Sequence, residues 1–356
     1  MIRCPIRPNA TIMSIDPFSG PDAWRHAFAE GLERQLQQPT LGSFILVLAN
    51  ASYDEGLWQS LWPALNRRFG ELADTLVETL ARGRRPDHPQ DDLLVFLELM
   101  ALGLGRLHLT RTRRAGPWLL QHIPLRALRP ARMSAARITS LQAPFDPEGF
   151  HFDRPFLRPE RLWAGDWRGH RLELFYNKFP FAPGHALLVP EPAAHRPQYL
   201  DRATHQLAWA WLEAVGARLP GSGLGYNSRG ANASVNHLHL QFYTGQAPAL
   251  PIEAPELIHN GGATPWPLPV ERFTDSDQAW AAIEACHHSN QPYNLLYRPG
   301  RLYLTPRAFQ GQVPTPTWSP GPAWAEFAGL ITLSDEEDFL NLQPDAVAAL
   351  LAAHAP

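Results

Sequence analysis

The residues with the most chemical potential lie in one run, residues 225–243, which reads GYNSRGANASVNHLHLQFY. Read as a strand over 234–243, the segment alternates its side chains between two faces. His237, His239 and Gln241 then share one face, and Leu238, Leu240 and Phe242 share the other. Same-face neighbours stand about 6.5–7 Å apart along a strand, close enough to bracket one phosphate. The apolar face accounts for the strand; two imidazoles and an amide opposite it call for another reason. The polar, glycine-bearing loop upstream, residues 226–234, can offer backbone N–H groups to an anion. Imidazole keeps an unprotonated nitrogen near neutral pH and is a competent nucleophile toward phosphorus, and a nucleotidyl–histidine intermediate divides one displacement into two easier ones. The non-bridging oxygens then need donors, a role suited to Gln241, Ser234 and the loop amides. An amide at 241 cannot work as general acid or base where a third histidine could. That favours transfer to an acceptor such as phosphate over hydrolysis.

The elements that must hold these groups follow from periodicity. Residues 1–106 read as a helical cap: Asp22 opens the spacing Trp24, Phe28, Leu32, Leu36, and residues 56–82 and 91–104 repeat the pattern around a breaker-rich 83–90. The apolar run 43–49 reads as a short buried strand. From Leu107 the texture turns to strands, with 107–110 and 118–123 flanking a turn at 113–117. Strands at 171–176 and 186–189, a helix over 201–218, and strands at 223–226 and 234–243 complete a first half, 107–250. The second half, 251–356, repeats the grammar: a strand at 268–273, a helix at 276–287, a hairpin of 293–297 and 301–305, a strand at 327–333 and a helical end from Asp335. The expectation is an α+β protein of two related halves behind an N-terminal helical region, the second half degenerate.

Composition removes several classes of function. The chain has 356 residues, 36 of them proline, 25 glycine and 2 cysteine, with a net charge of −3 and 45% apolar residues. A near-neutral balance argues against nucleic acid as partner. Neither a signal peptide nor a membrane span is expected, since the longest apolar tract, 93–105, is short and contains Glu98, and the protein is expected to be cytoplasmic. Cys4 and Cys286 are too far apart in sequence for a disulfide framework or a four-thiolate zinc site. Of 31 basic residues Lys178 is the only lysine, a hint that an ammonium is wanted there.

His-x-His-x-Gln, preceded by Asn227 and Ser234, resembles the transferase branch of the histidine-triad (HIT) superfamily, which includes galactose-1-phosphate uridylyltransferases and diadenosine tetraphosphate phosphorylases. The stretch 177–190, NKFPFAPGHALLVP, is similar to the strand–turn–strand that precedes the helix there. The nearest resemblance is to GDP-hexose phosphorylases, through YNSRGANASVNHLHLQ (226–241), LQAPFD (141–146), NQPYNLL (290–296) and the EFAGLITLSDEEDF region; it spans about residues 117–345. That resemblance implies two HIT-like halves of the uridylyltransferase type. It implies His239 as nucleophile, His237 as its orienting partner, Gln241 on the phosphoryl oxygens, Ser234 on the bridging or leaving oxygen and Asn227 on a phosphate. Asn177 falls where many triad proteins carry a ribose-binding aspartate. To these are added Lys178 and Arg229 as cations near the phosphates and Asn232 as a further substrate contact. The cysteine pair that holds zinc in many uridylyltransferases is missing, so no structural zinc and no cofactor are expected, and the implied oligomer is a homodimer.

The implied reaction cleaves a nucleoside diphosphate-linked substrate with phosphate, best a GDP-hexose to GDP and hexose 1-phosphate. A diadenosine polyphosphate phosphorylase and a non-catalytic nucleotide-binding protein are the alternatives. Other residues read as structural: His185 as a hydrogen-bonded residue at a strand start, Cys286-His287-His288 as a helix C-terminus rather than a metal site, and the acidic run 335–338 as a helix start. Arg126, Arg129, Arg132 and Arg137 either form a solvated face or line an anionic channel.

Overall fold

The computed structural model describes residues 7–8, 16–128, 137–245 and 249–356; Arg129 and Arg132 lie outside them. A two-residue strand β1 (Arg7–Pro8) precedes four helices, α1 (Pro21–Leu36), α2 (Leu41–Ala51), α3 (Glu55–Ala81) and α4 (Gln90–Leu102). Then follow β2 (Arg111–Ala115), β3 (Trp118–His122), β4 (Arg161–Trp167), β5 (His170–Tyr176), β6 (Ala186–Pro190), α5 (Arg202–Gly216), β7 (Gly223–Asn227) and β8 (Leu240–Tyr243). The C-terminal part holds β9 (Glu271–Phe273), α6 (Ser276–His288), β10 (Tyr293–Arg298), β11 (Arg301–Pro306), α7 (Trp324–Phe327), β12 (Leu330–Leu333), α8 (Glu336–Asn341) and α9 (Pro344–Ala353). The fold is α+β, with predominantly antiparallel sheets and flanking helices.

A nine-stranded sheet runs β1-β4-β5-β6-β8-β7-β10-β11-β9, every pairing antiparallel. Its register puts Gln241 opposite Gly225, and Asn227 opposite Asn294. On the other face Phe242 packs edge-on against Phe18, Trp24 and Trp211, where α1 and α5 cover the sheet. A small sheet, β12-β3-β2, lies beyond. Its Gln121 donates to the Phe181 carbonyl and to Thr332 Oγ1, both at 2.8 Å, and accepts from the Tyr53 hydroxyl at 2.6 Å.

Four readings of the sequence are corrected. The run 43–49 belongs to helix α2, not to a strand. Periodicity cannot separate a short strand from a helix buried all round, and here Thr40 settles it by accepting the Ser43 N–H at 3.1 Å. Every residue of α2 is buried, between α1, α3 and α4. The first hairpin pairs β2 with β3 through a tight turn at Gly116 (φ +57°), so 111–115 is strand and not turn. Its arginines form a half-exposed edge that carries no apolar alternation. The strand expected over 234–243 begins only at Leu240, and 327–333 divides into α7 and β12 at Gly329 (φ +89°).

Helix α1 docks on β5 at Gly31. A Cβ there would stand 1.9 Å from the Tyr176 hydroxyl oxygen, which donates to the Phe28 carbonyl at 2.7 Å. Gly31→Ala is expected to cost about 1–3 kcal/mol by overpacking. Urea unfolding of Gly31→Ala, Tyr176→Phe and the double variant provides the check. Losing the hydroxyl should cost less in the alanine background than alone, because it removes the clash; strict additivity would place the docking elsewhere.

Candidate active site

The strands that carry the motif part company just before it. Paired residues of β7 and β8 end at Gly225 and Gln241. Beyond that point the buried Gln198 side chain takes over the ladder: Oε1 accepts the His239 N–H at 2.9 Å, and Nε2 donates to the carbonyls of His239 (3.1 Å) and Asn227 (3.0 Å). Leu238 N–H bonds the Arg196 carbonyl at 2.8 Å. His237, in a bend, and His239 therefore sit just ahead of β8 on a segment held by side chain and loop, in the gap where β7 and β8 diverge.

His239 is 5% exposed, and its Nδ1 lies 2.8 Å from the His237 carbonyl oxygen. A carbonyl only accepts, so Nδ1 carries the proton and Nε2 keeps the lone pair. Burial pushes the His239 pKa down to about 4 against the pull of that carbonyl, and the ring is neutral at physiological pH. His237 is fixed differently. Its Nδ1 accepts the Phe152 N–H at 3.0 Å while the Pro192 backbone favours its charged form; burial, then the neighbouring His239, hold its pKa down at about 4. His237 thus reaches His239 through its backbone carbonyl, while its own imidazole is bound to main-chain groups.

Two amides face the gap, and one residue aims both. Trp324 donates its backbone N–H to Asn227 Oδ1 at 3.0 Å and its indole N–H to Gln241 Oε1 at 2.9 Å. Asn294 Nδ2 also donates to Asn227 Oδ1, at 2.6 Å. With the oxygens taken, Asn227 and Gln241 offer their NH2 groups, which is the polarity a phosphate requires. The indole lies directly on Gly225, where a Cβ would come within 2.1 Å of it, and stacks on Tyr243 at 5.4 Å. Behind it, the Pro322 carbonyl is gripped by the buried Arg307 guanidinium and by Asn232 Nδ2 at 2.5 Å. Ala323 N–H bonds Glu326 Oε2 at 3.0 Å.

The other sequence-derived candidates are placed as follows. Ser234 is half-buried and its hydroxyl has no hydrogen-bond partner among the described residues. Asn232 occupies a left-handed turn (φ +65°), with its N–H on Gln310 Oε1 at 3.0 Å and its amide on Pro322. Arg229 reaches away to the Ser140 carbonyl at 2.5 Å. Asn177 caps its own turn through Phe179 N–H at 3.0 Å and lies 3.2 Å from His185 Nε2. Lys178 pairs with Asp92 of α4 against Gly42 of α2, so the ammonium joins the helices to the sheet. His185 is fully buried; burial, then Arg126, push its pKa to about 3, and its ring is hydrogen-bonded to Gln241. His287 bonds the Tyr293 hydroxyl at 2.8 Å and stacks on Tyr199. Gln198, Phe152, Asn294 and Trp324 escaped the sequence reading as site residues. Asn294 lay inside a segment already marked for its resemblance; Trp324 is far from Gln241 in sequence and carries no local pattern.

Residues 165–243 match the family model described as "GDPGP1-like, N-terminal domain". The chain is 36% identical over 142 residues to GDP-D-glucose phosphorylase 1 of Macaca fascicularis, covering 34% of this chain and 35% of that protein. It is 37% identical over 139 residues to the human protein of the same name, with 34% and 35% covered. To GDP-L-galactose phosphorylase 1 of Arabidopsis thaliana it is 29% identical over 208 residues, 49% of this chain and 45% of that one. The chain therefore spans between about a third and a half of the length of the curated relatives it matches. A crystal structure of yeast Ap4A phosphorylase Apa2 in complex with Ap4A aligns at a TM-score of 0.48 and 17% identity, over 75% of this chain and 97% of that one. The resemblance to GDP-hexose phosphorylases read from residues 226–241 thus appears again in these relatives.

The neutral imidazoles set a pH dependence. Between the ordinary histidine value and about 4, the unfolded chain binds protons at His237 and His239 that the folded chain refuses. Stability is therefore expected to fall as pH drops from about 6.5 toward 4. Thermal melts across that range test it, with imidazole NMR titration as site readout. Midpoints near 6.5 for both rings would overturn the assignment.

Proposed function

We propose that the protein is a nucleotidyl phosphorylase that acts on a GDP-hexose through a covalent nucleotidyl–histidine. The observation that carries this reading is the 2.8 Å bond from His239 Nδ1 to the His237 carbonyl, which leaves Nε2 as a lone-pair nitrogen in the gap between β7 and β8. Nε2 attacks the α-phosphorus; an N–P bond forms and the bond to the bridging oxygen breaks, releasing hexose 1-phosphate. The imidazole becomes cationic as it acquires the nucleotidyl group, and the His237 carbonyl stabilises that charge at Nδ1. An oxygen of inorganic phosphate then attacks the same phosphorus, the N–P bond breaks, and GDP leaves with His239 neutral again. The NH2 groups of Asn227 and Gln241 bind the non-bridging oxygens, and Ser234 serves the bridging oxygen. Burial keeps the His239 nitrogen free of a proton, so this nucleophile needs no base to activate it. GDP-hexose as donor takes its support from the relatives named GDP-D-glucose and GDP-L-galactose phosphorylase.

The same reading takes residues 107–250 and 251–356 as two related halves behind a helical cap, 1–106. Its support is the order of elements, strands with α5 and then strands with α6, meeting edge to edge at β7 and β10.

The test is intact-protein mass after incubation with GDP-hexoses, other nucleoside diphosphate sugars and diadenosine tetraphosphate, without phosphate. A gain of one GMP, lost in His239→Ala and discharged as GDP when phosphate is added, is the expected result. An AMP adduct from the dinucleotide alone would replace the substrate class; nucleotide binding with no adduct in a rapid quench would make the protein a binder. Trp324→Phe keeps a ring on Gly225 but drops the indole donor, and is expected to slow adduct formation about 5- to 150-fold, the worth of about 1–3 kcal/mol. The loading rate should stay flat from pH 8 to about 6 and fall only as pH approaches 4, because protonation of His239 removes the nucleophile.

A further inference from the structure

A cavity of about 310 Å³ opens between the start of α5, the end of α6 and the loop around Gln142. None of the residues given a chemical role above lines it. Its wall is aromatic: Tyr199 stacks on His287 with ring centres 4.3 Å apart, and Trp280 meets His287 edge-on at 5.7 Å. Fully buried Leu200 completes that wall. Burial pushes the His287 pKa down to about 4, so the stack is uncharged at neutral pH.

The rim is held in place by contacts of the chain itself. Asn290, just past α6, accepts the Leu141 N–H and donates to the Thr139 carbonyl, both at 2.9 Å, which fixes the loop beside Gln142. Arg202 pairs with Asp277 at 2.8 Å and so ties α5 to α6. Asp201 is likewise committed, since it caps α5 through the Thr204 N–H at 2.7 Å and pairs with Arg196 at 3.3 Å. Glu284 differs: it stands exposed at the rim, with no ion pair or hydrogen bond among the described residues. Gln142 is exposed beside the same cavity.

An aromatic wall with one unneutralised carboxylate and one amide at its rim suits a planar heterocycle whose edge carries two adjacent donors and an acceptor. Guanine has that edge: its ring N–H and amino group meet a carboxylate in parallel, and its carbonyl oxygen meets an amide NH2. Adenine turns a ring lone pair toward the same carboxylate and is repelled. Stacking favours either base, so the carboxylate makes the choice. The volume is at the small end for ligand cavities, which suits a base whose ribose and phosphates stay in solvent. We infer that this cavity is a second, non-catalytic site for the guanine base of a nucleoside or nucleotide, read by Glu284 and Gln142 and stacked on the Tyr199–His287 wall. Its role rests on the reading above, in which GDP is the product; its existence does not.

Photolabelling of the full chain with 8-azidoguanosine, read by peptide mass, tests the site without turnover. Label is expected in peptides bearing Tyr199 or Trp280, in the wild type and in His239→Ala alike, with guanosine competing and adenosine not. In Glu284→Gln the concentration for half-maximal labelling of these peptides should rise about tenfold, while GMP loading at His239 is unchanged. Thermal melts check that the variant folds; if it does not, the two competitors decide on the wild type. Unaltered labelling in a folded Glu284→Gln, equal competition by adenosine, or label confined to other peptides overturns the site. Label that depends on Glu284, with no adduct from any donor, would retain the site and discard the phosphorylase reading. A GMP adduct with no label at these peptides would do the reverse.

Discussion

Everything at the site depends on the amide of Gln198 spanning the gap between β7 and β8. Two strands that diverge leave backbone groups without partners, and buried unpaired N–H and C=O groups cost about 1–3 kcal/mol each. Gln198 satisfies three at once, both main-chain groups of His239 and the carbonyl of Asn227. The strands can therefore open without unravelling. The opening leaves an imidazole and two amides at one break in an otherwise close-packed sheet.

Orientation is the second constraint, and it is imposed by acceptors and donors that have no alternative. The carbonyl of His237 can only accept, which fixes the tautomer of His239; the N–H groups of Trp324 can only donate, which fixes the amide ends of Asn227 and Gln241. Such groups need no reorganisation to meet a charged oxygen, because the donors are already aimed. Trp324 is itself placed by the Pro322 carbonyl, on which Arg307 and Asn232 converge, and by the missing side chain of Gly225. A change at any of these would act on the aim of the two amides through Trp324.

The helical layer and the loop before β4 close the arrangement from outside. Lys178 and Asp92 join α4 to the turn after β5, and Asn50 of α2 donates to the Asn177 carbonyl at 2.9 Å. Phe152 and Phe145 bring the loop against His237, while Asn236 and Asn290 hold its main chain. These contacts exclude water from His237 and His239, and that exclusion is what keeps both rings neutral.

The residue types of the candidate site were legible in the chain. The order His-x-His-x-Gln beside a polar glycine-bearing loop is a local pattern, and so are the amphipathic helices α1, α3, α5 and α6 and the hairpin of β10 and β11. Local patterns are legible because they depend on neighbours within a few residues. Only the folded chain shows which nitrogen of His239 is free, that His237 meets His239 through its carbonyl, that Lys178 pairs across the fold, and that Gln198, Trp324 and Arg307 hold the neighbouring groups in place. Even α2 needed its surroundings, since an apolar run buried on all sides has no periodicity to read. Each of these rests on contacts between residues distant in sequence, as Trp324 is from Gln241, and the chain reveals such pairs only when the sheet sets its register and brings them together.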